Sequence, residues 1–293
     1  MCDQDHYDDD LKAYKEKAAL SRREFGALGL GAGMAFVLQR PANAVAVTEE
    51  EVKIKTPDGT CDAYFVHPAT GNGAGVIMFP DIVGLRPAFR GMGKRLAESG
   101  YSVLVVNPFY RMKAAPVVPD GSKFSDPEVR KQLMALAGPL NSNVANVTTD
   151  VTAYASWLDT QKSVNTRRKI GIMGYCMSGP YTIRGAAALP NRVGAGASFH
   201  GGSLTTKDNN SPHLLLEKTN ASFLFAIADN DDKRDPESKN ILRAAADAAK
   251  KSAEIEVYPA AHGWCPPDGE VYDKEQAEKA WSRMLALFGK ALA

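Results

Sequence analysis

Cysteine, net charge and long apolar runs are all scarce in this sequence. Only four of its 293 residues are cysteines, and none forms the C-x-x-C pair that dithiol redox centres and structural zinc sites use. The formal net charge is +1, which does not favour nucleic acid or an anionic membrane surface as a partner. No internal repeat or metal-type Cys/His spacing is present, so no solenoid is predicted and no metal or cofactor is expected. A globular domain of about 240 residues, which is large enough to bury a sizeable core, fits these limits.

Residues 1–46 have the pattern of a removable export signal. Arg22 and Arg23 precede a glycine-rich apolar stretch over 26–38, and an A-x-A-like cleavage site follows it. This order predicts a twin-arginine signal, export to the periplasm and a mature domain over 47–293. The apolar stretch is too short and too rich in glycine for a transmembrane span, so no stable membrane anchor is expected. The alternative is an amphipathic N-terminal helix that packs on the domain of a cytoplasmic protein.

Segments typical of strands and helices alternate along the predicted mature domain. The first two strands flank a Pro-Asp-Gly turn, which predicts a hairpin. The later alternation predicts an α/β fold with a doubly wound, mostly parallel sheet flanked by helices, as in an α/β-hydrolase. Residues 111–142 are expected to form a cap or loop at the substrate pocket, with one short helix at 126–137. The predicted strands are 52–56, 61–67, 75–79, 102–106, 169–173, 194–199, 222–228 and 255–258, and the predicted helices are 87–99, 144–161, 177–188, 236–251 and 274–292.

The most informative motif is G-Y-C-M-S-G at residues 174–179. It lies between a predicted apolar strand and a predicted helix of small residues. In this context a G-x-[S/C]-x-G motif predicts a nucleophile elbow, whose apex residue has a strained backbone. The flanking glycines lack the Cβ atoms that would block the close approach of strand and helix. The apex residue is Cys176, so the predicted nucleophile is a thiol. A buried cysteine with a purely structural role is the alternative.

An acid and a histidine follow in the chain order that this architecture requires. The strand at 222–228 ends in an Asp-rich turn, where Asp231 is the predicted acid and Asp232 the runner-up. His262 lies on a loop beyond the strand at 255–258, with a glycine after it, and is the predicted base. The sequence thus contains each member of a catalytic triad.

Two roles are open for His200. It ends the strand predicted at 194–199 and precedes two glycines, so lining the site and a structural role are both open. Solvated or capping roles are predicted for the remaining three, which are His6, His67 and His213.

Together these motifs resemble the dienelactone hydrolase family, the cysteine-nucleophile branch of the α/β-hydrolase fold. The resemblance covers roughly residues 50–292. It rests on the elbow, the Asp-rich turn, A-H-G-W at 261–264, P-D-I-V-G-L-R at 80–86 and the segment 95–104. It implies hydrolysis of an ester or lactone by a Cys-His-Asp triad, without a metal or other cofactor.

The resemblance also implies roles for residues around the elbow. Asp81 would hydrogen-bond to the resting nucleophile, with Tyr175 beside it. The backbone N–H groups of Ile82 and Met177 would form the oxyanion hole. The family usually has a glutamate where Asp81 stands, so the shorter side chain changes the geometry of that contact.

Substrate binding is expected from four side chains. By resemblance, an aromatic–arginine pair after a strand helps to bind an anionic substrate, and Tyr110 and Arg111 match that pair. His200 and Trp264 are the other two candidates. Residues 263–268 offer no match for the second substrate-binding arginine of the family, so the particular dienelactone substrate does not follow from the resemblance.

The chemistry of the predicted triad can be argued from its residue types. A thiol has a pKa near 8.5 and needs a base at neutral pH, while a carboxylate orients the imidazole of that base. Thiolate is a better leaving group than alkoxide, so activated esters, lactones and thioesters are favoured over amides. The expected partner is a small-molecule ester or lactone, and the expected state is a monomer. Two alternatives are a thiol redox protein that uses Cys176 and Cys265, and a non-catalytic binding domain.

Overall fold

The computed structural model describes residues 11, 12, 14 and 43–293. The twin arginines and the apolar stretch of the predicted signal lie outside the described residues. Two residues that precede them contact the domain. Leu11 is buried, and the Tyr14 hydroxyl donates a hydrogen bond to the Tyr272 carbonyl oxygen at 2.8 Å.

A sheet of eight strands lies at the centre of the described domain. Its strands are β1 Val47–Thr56, β2 Gly59–Pro68, β3 Gly75–Phe79, β4 Ser102–Val106, β5 Ile170–Tyr175, β6 Val193–Phe199, β7 Ser222–Ala228 and β8 Ala253–Tyr258. Their spatial order is β1-β2-β4-β3-β5-β6-β7-β8. β1 and β2 form the predicted antiparallel hairpin, β2 pairs antiparallel with β4, and all later pairs are parallel. Every residue of β3, β4, β5 and β6 is buried, as expected for parallel strands covered on both faces.

Helices cover both faces of this sheet, which confirms the predicted doubly wound α/β architecture. The helices are α1 Pro87–Ala97, α2 Pro127–Ser142, α3 Ala145–Asp159, α4 Tyr181–Ala188, α5 Asp229–Arg234, α6 Ser238–Ala248 and α7 Lys274–Ala291. Buried side chains of α1 and α7 pack in one hydrophobic cluster, and those of α3, α4 and α6 pack in a second. The site-bearing loops leave the sheet between these two layers.

Two predicted helices and one predicted turn differ from the structure near the site. The predicted helix at 177–188 is a 3-10 turn, Cys176–Ser178, followed by α4. The Asp-rich stretch predicted as a turn is the short helix α5. The short helix predicted at 126–137 is α2, which continues to Ser142; the Asp126 side chain caps its N-terminus by accepting from two backbone N–H groups.

The helices of residues 43–293 are all shorter or more polar than a membrane-spanning helix requires.

Candidate active site

The sheet places Cys176 directly after β5, at the edge where open α/β sheets bind ligands. Its φ angle is 54°, in the left-handed region that residues other than glycine rarely adopt. A Cβ atom on Gly174 would lie 2.1 Å from the Ser178 carbonyl oxygen, and one on Gly179 would lie 2.4 Å from the Gly201 Cα. The turn therefore has the strained apex and the glycine-dependent close approaches that the motif predicts.

His262 and Asp231 are in direct contact, because β7 and β8 are adjacent and parallel. The distance between His262 Nδ1 and Asp231 Oδ2 is 2.6 Å. Two further hydrogen bonds fix the loops that carry them. The His262 backbone N–H donates to Asn230 Oδ1 at 2.8 Å, and the Asp229 N–H donates to the Ala260 carbonyl at 3.0 Å. The sequence did not single out Asn230, since its partner lies on a different strand end.

Asp232, the runner-up acid, has a different partner. Its two carboxylate oxygens accept hydrogen bonds from Lys239 Nζ at 2.7 and 2.6 Å. Both aspartates lie in the first turn of α5, where successive side chains point about 100° apart around the helix. Only Asp231 therefore faces the histidine.

The loop after β3 is tied to the elbow by a residue that the sequence did not single out. The Ser178 hydroxyl donates a hydrogen bond to the Pro80 carbonyl oxygen at 2.7 Å, and both atoms are buried. This bond holds residues 81 and 82 beside the 3-10 turn. Ile82 and Met177, the two predicted oxyanion donors, consequently line the same cavity as Cys176.

Asp81 is held by an arginine from its own loop. Arg86 donates to both Asp81 oxygens at 2.6 and 3.0 Å, and to both oxygens of Asp268 at 2.7 and 2.9 Å. The Val83 backbone N–H adds a third hydrogen bond to Asp81, at 2.9 Å. Burial disfavours the charge of the guanidinium, but the two flanking carboxylates outweigh it and raise the pKa of Arg86. Sequence reasoning did not find this network, because Asp268 is 182 residues from its partner.

His200 lies against the predicted base. Its side chain is fully buried, and its ring centroid is 5.1 Å from that of His262 and 5.1 Å from that of Trp264. Its φ angle is 40°. Burial first, and the neighbouring His262 second, lower the pKa of His200 well below its ordinary value, so the imidazole is neutral at pH 7.

This neutral histidine predicts a specific pH dependence of stability. The unfolded chain takes up a proton at His200 near pH 6.5, whereas the folded protein does so only well below that pH. The free energy of unfolding should therefore fall as pH drops below about 6.5, by up to about 1.4 kcal/mol per pH unit from this group.

His200→Asn should remove that contribution, because asparagine does not titrate and tolerates positive φ. Urea denaturation of both proteins between neutral and mildly acidic pH measures the slope. Equal slopes for the wild-type protein and the variant would contradict the assignment.

Tyr110 and Arg111 lie away from the predicted pocket. Arg111 donates to both oxygens of Asp150 at 2.8 Å and to Asp58 at 2.6 Å, and its guanidinium lies over the Tyr110 ring. The Tyr110 hydroxyl donates to Asp150 at 2.7 Å. Neither residue is among the described residues that line the two cavities at Cys176. The structure thus pairs the Arg111 guanidinium with two carboxylates, outside the described lining of both cavities.

Tyr175 and Trp264, the two aromatic candidates near the elbow, pack against other buried rings. The Tyr175 ring is buried and stacks on Phe199 with the ring centroids 4.7 Å apart, which agrees with a supporting position behind the elbow. Trp264 is fully buried and stacks on Tyr258 at 5.4 Å. It is not among the described residues that line the two cavities at Cys176. It instead packs against His200.

The three described cysteines are all buried. Cys265 lines a small cavity with Tyr175 and is absent from the described lining of the two cavities at Cys176. Burial raises the pKa of Cys265 well above its ordinary value and that of Cys61 to about 12. Neither thiol has the exposed, thiolate-favouring environment of a redox partner, so no observation favours the redox alternative.

Two cavities share the candidate catalytic residues in their lining. The larger has a volume of about 1010 Å³, and the smaller has a volume of about 320 Å³. Cys176, His262 and Ile82 line both of them. The predicted cap contributes to each: α2 lines the larger cavity, and residues 120–124 line the smaller one. A substrate held across Cys176 can therefore extend in two directions.

A strained apex after β5, a His–Asp pair past β7 and β8, and cavities at the carboxyl edge of the sheet together define an α/β-hydrolase. The model of the dienelactone hydrolase family matches residues 61–292, and the chain belongs to that family. It is a hydrolase of esters or lactones.

Individual relatives agree with this membership. The chain is 28% identical over 143 residues to a carboxymethylenebutenolidase of Rhodococcus opacus, a match that spans 48% of this chain and 50% of that protein. A crystal structure assigned to the dienelactone hydrolases, from Klebsiella pneumoniae subsp. pneumoniae, is 28% identical, with a TM-score of 0.70 over 84% of this chain and 99% of that one. A dienelactone hydrolase of Anabaena variabilis, 14% identical, shares the fold, with a TM-score of 0.59 over 84% and 99% of the two chains.

Proposed function

We propose that this hydrolase cleaves a carboxylic ester or lactone through a thioester acyl-enzyme, with Cys176 as nucleophile, His262 as base and Asp231 as the orienting acid. The observation that carries the proposal is the 2.6 Å contact of His262 with Asp231, beside two cavities that both reach Cys176. A dienelactone-like substrate agrees with the carboxymethylenebutenolidase relative.

In the first half-reaction, the proton of the Cys176 thiol passes to His262, and the sulfur attacks the substrate carbonyl carbon. Asp231 stabilises the imidazolium that forms. The tetrahedral oxyanion accepts hydrogen bonds from the backbone N–H groups of Ile82 and Met177, each worth about 3 kcal/mol of transition-state stabilisation. As the carbonyl re-forms, the ester C–O bond breaks and His262 returns the proton to the departing alkoxide.

In the second half-reaction, water hydrolyses the thioester. His262 takes one proton from the water as its oxygen attacks the acyl carbon. The C–S bond then breaks, the carboxylic acid leaves, and the proton restores the thiol of Cys176. The balance of each cycle is one ester and one water in, and one acid and one alcohol out; a lactone gives the open hydroxy acid.

Stoichiometric alkylation tests the identity of the nucleophile. Iodoacetamide is added in steps to the purified protein, and turnover of a chromogenic ester panel is compared with labelling located by mass spectrometry. We expect turnover to fall in proportion to modification of Cys176. Cys61 and Cys265 serve as internal controls and should stay unlabelled, because burial raises the pKa of both thiols. Full turnover with Cys176 completely alkylated would overturn the proposal.

We further propose that the protein is exported to the periplasm by the twin-arginine route and acts as a monomer on a small-molecule substrate. The paired Arg22 and Arg23 before an apolar stretch support export, and a monomer is the default expectation for a single domain of this size. Cell fractionation tests the first proposal, and analytical ultracentrifugation tests the second. A chain found only in the cytoplasm, or sedimenting as a stable dimer, would contradict the respective proposal.

A further inference from the structure

Among the described residues that line the larger cavity, Arg184 is a half-buried cation. Arg184 lies on α4, and its Nη2 donates a hydrogen bond to the Asn210 carbonyl oxygen at 2.8 Å. Within the described residues no carboxylate forms an ion pair with it, whereas Arg86 and Arg111 are each held by two. Burial lowers the pKa of Arg184, with a small opposing effect from Tyr181. Its charge is thus partly desolvated without a compensating anion, which is costly unless a ligand supplies one.

The rest of this wall is mainly apolar on the side of the cap. Met134, Ala137 and Leu140 of α2 face the cavity, and Pro180 and Tyr181 lie between Cys176 and Arg184 along the chain. The one acidic residue in the described lining is Asp208, which is exposed to solvent and is not among the groups that shift the pKa of Arg184. Solvent screens the charge of this exposed carboxylate more strongly than that of the half-buried guanidinium.

The volume of the cavity sets the size of the occupant. About 1010 Å³ is at the upper limit of the range of about 300–1,000 Å³ that pockets for drug-sized ligands occupy. A single small lactone ring in contact with Cys176 would leave most of this space, and the guanidinium, unfilled. An acyl group with an apolar spacer and a terminal anion would fill both.

We infer that the preferred substrate is an ester whose acyl half carries a second, terminal carboxylate beyond an apolar spacer, and that Arg184 binds this carboxylate. The acyl chain lies along α2 in the larger cavity, and the alcohol leaving group lies in the smaller one. The planar guanidinium fork matches a carboxylate in two parallel hydrogen bonds, which a lysine does not reproduce. This assignment rests on the proposed thioester mechanism, since it names the acyl group that Cys176 would carry.

The test is a series of nitrophenyl esters of dicarboxylic acids, from succinate to sebacate, each paired with its neutral methyl ester of equal length. For the wild-type protein we expect kcat/KM to favour the free carboxylate by about tenfold or more at one spacer length. Shorter and longer spacers should lose this preference, because the carbonyl and the carboxylate then cannot reach Cys176 and Arg184 together.

Variants at Arg184 separate binding from folding. Arg184→Gln should remove the preference by raising KM for the carboxylate esters while kcat stays similar, and should leave the neutral esters unchanged. Arg184→Lys should retain part of the preference for the carboxylate esters. Arg192→Gln is the matched control, because Arg192 pairs with Asp159 and lines neither cavity among the described residues. It should behave as the wild-type protein does.

The outcomes distinguish this inference from the proposed function. Neutral esters turned over by Cys176 with no preference for a carboxylate at any length would overturn the inference alone. Equal loss of activity on both kinds of ester in Arg184→Gln would also overturn it, since that result indicates a structural role. No turnover of any ester by the folded wild-type protein would overturn both.

Discussion

Cys176→Ala is expected to lower kcat/KM for ester hydrolysis by roughly 10⁴-fold or more. In the proposed mechanism the acyl-enzyme cannot form without the sulfur. The two cavities and the backbone N–H groups of Ile82 and Met177 would then retain only substrate binding. Initial rates on a chromogenic ester at saturating and subsaturating concentrations measure the effect. Alanine should also keep the fold, because it is smaller than the cysteine it replaces.

Cys265→Ala is the matched control for this variant. The Cys265 side chain is as buried as that of Cys176, but it lines a different cavity. The Cys265→Ala variant should therefore hydrolyse the ester at a rate close to that of the wild-type protein. Circular dichroism and thermal unfolding of both variants show whether each is folded. If folded Cys176→Ala hydrolysed esters at the wild-type rate, cysteine would not be the nucleophile.

The second large effect should distinguish two adjacent carboxylates. Asp231→Asn is expected to lower kcat by about 10³–10⁴-fold. The amide is nearly isosteric, but it can donate a proton toward His262 Nδ1 and so favours the wrong tautomer of the base. It also removes the negative charge that stabilises the imidazolium.

Asp232→Asn provides the internal comparison, since it makes the same chemical change one residue away. Asp232 accepts hydrogen bonds from Lys239, so this variant should lose that ion pair and keep hydrolysis close to the wild-type level. The pH dependence of kcat for the wild-type protein and the two variants checks that the loss of activity in Asp231→Asn arises from the base rather than from unfolding. A large loss in Asp232→Asn with full activity in Asp231→Asn would reverse the assignment.

The elbow was predictable from sequence because its requirements are local. Gly174 and Gly179 lie within three residues of Cys176, and the close approach that excludes a Cβ atom at Gly174 arises within the same turn. The strand predictions succeeded for a similar reason. Buried parallel strands are short apolar runs bounded by turn residues, and β3, β4 and β7 have the predicted bounds.

Side-chain partners distant in sequence were not predictable in this way. Arg111 follows a strand as the aromatic–arginine pair of the family does, yet Asp58 and Asp150, 53 and 39 residues away, bind it outside the pocket. A sequence pattern that spans a few residues carries no information about which distant carboxylate lies near a guanidinium. For the same reason the sequence did not indicate a role for Arg184, which lies in a helix of mostly small residues.

The α/β architecture, the elbow at Cys176 and the chain order of acid and histidine could all be predicted from the amino-acid sequence. These follow from apolar periodicity and turn chemistry, which act over a few residues. Tertiary structure decided that Asp231 rather than Asp232 faces His262, that Arg86 bridges Asp81 and Asp268, and that two cavities meet at the thiol. Those outcomes depend on which strand ends become neighbours in the sheet and on how each helix is rotated about its axis, and both are fixed only when the whole core packs.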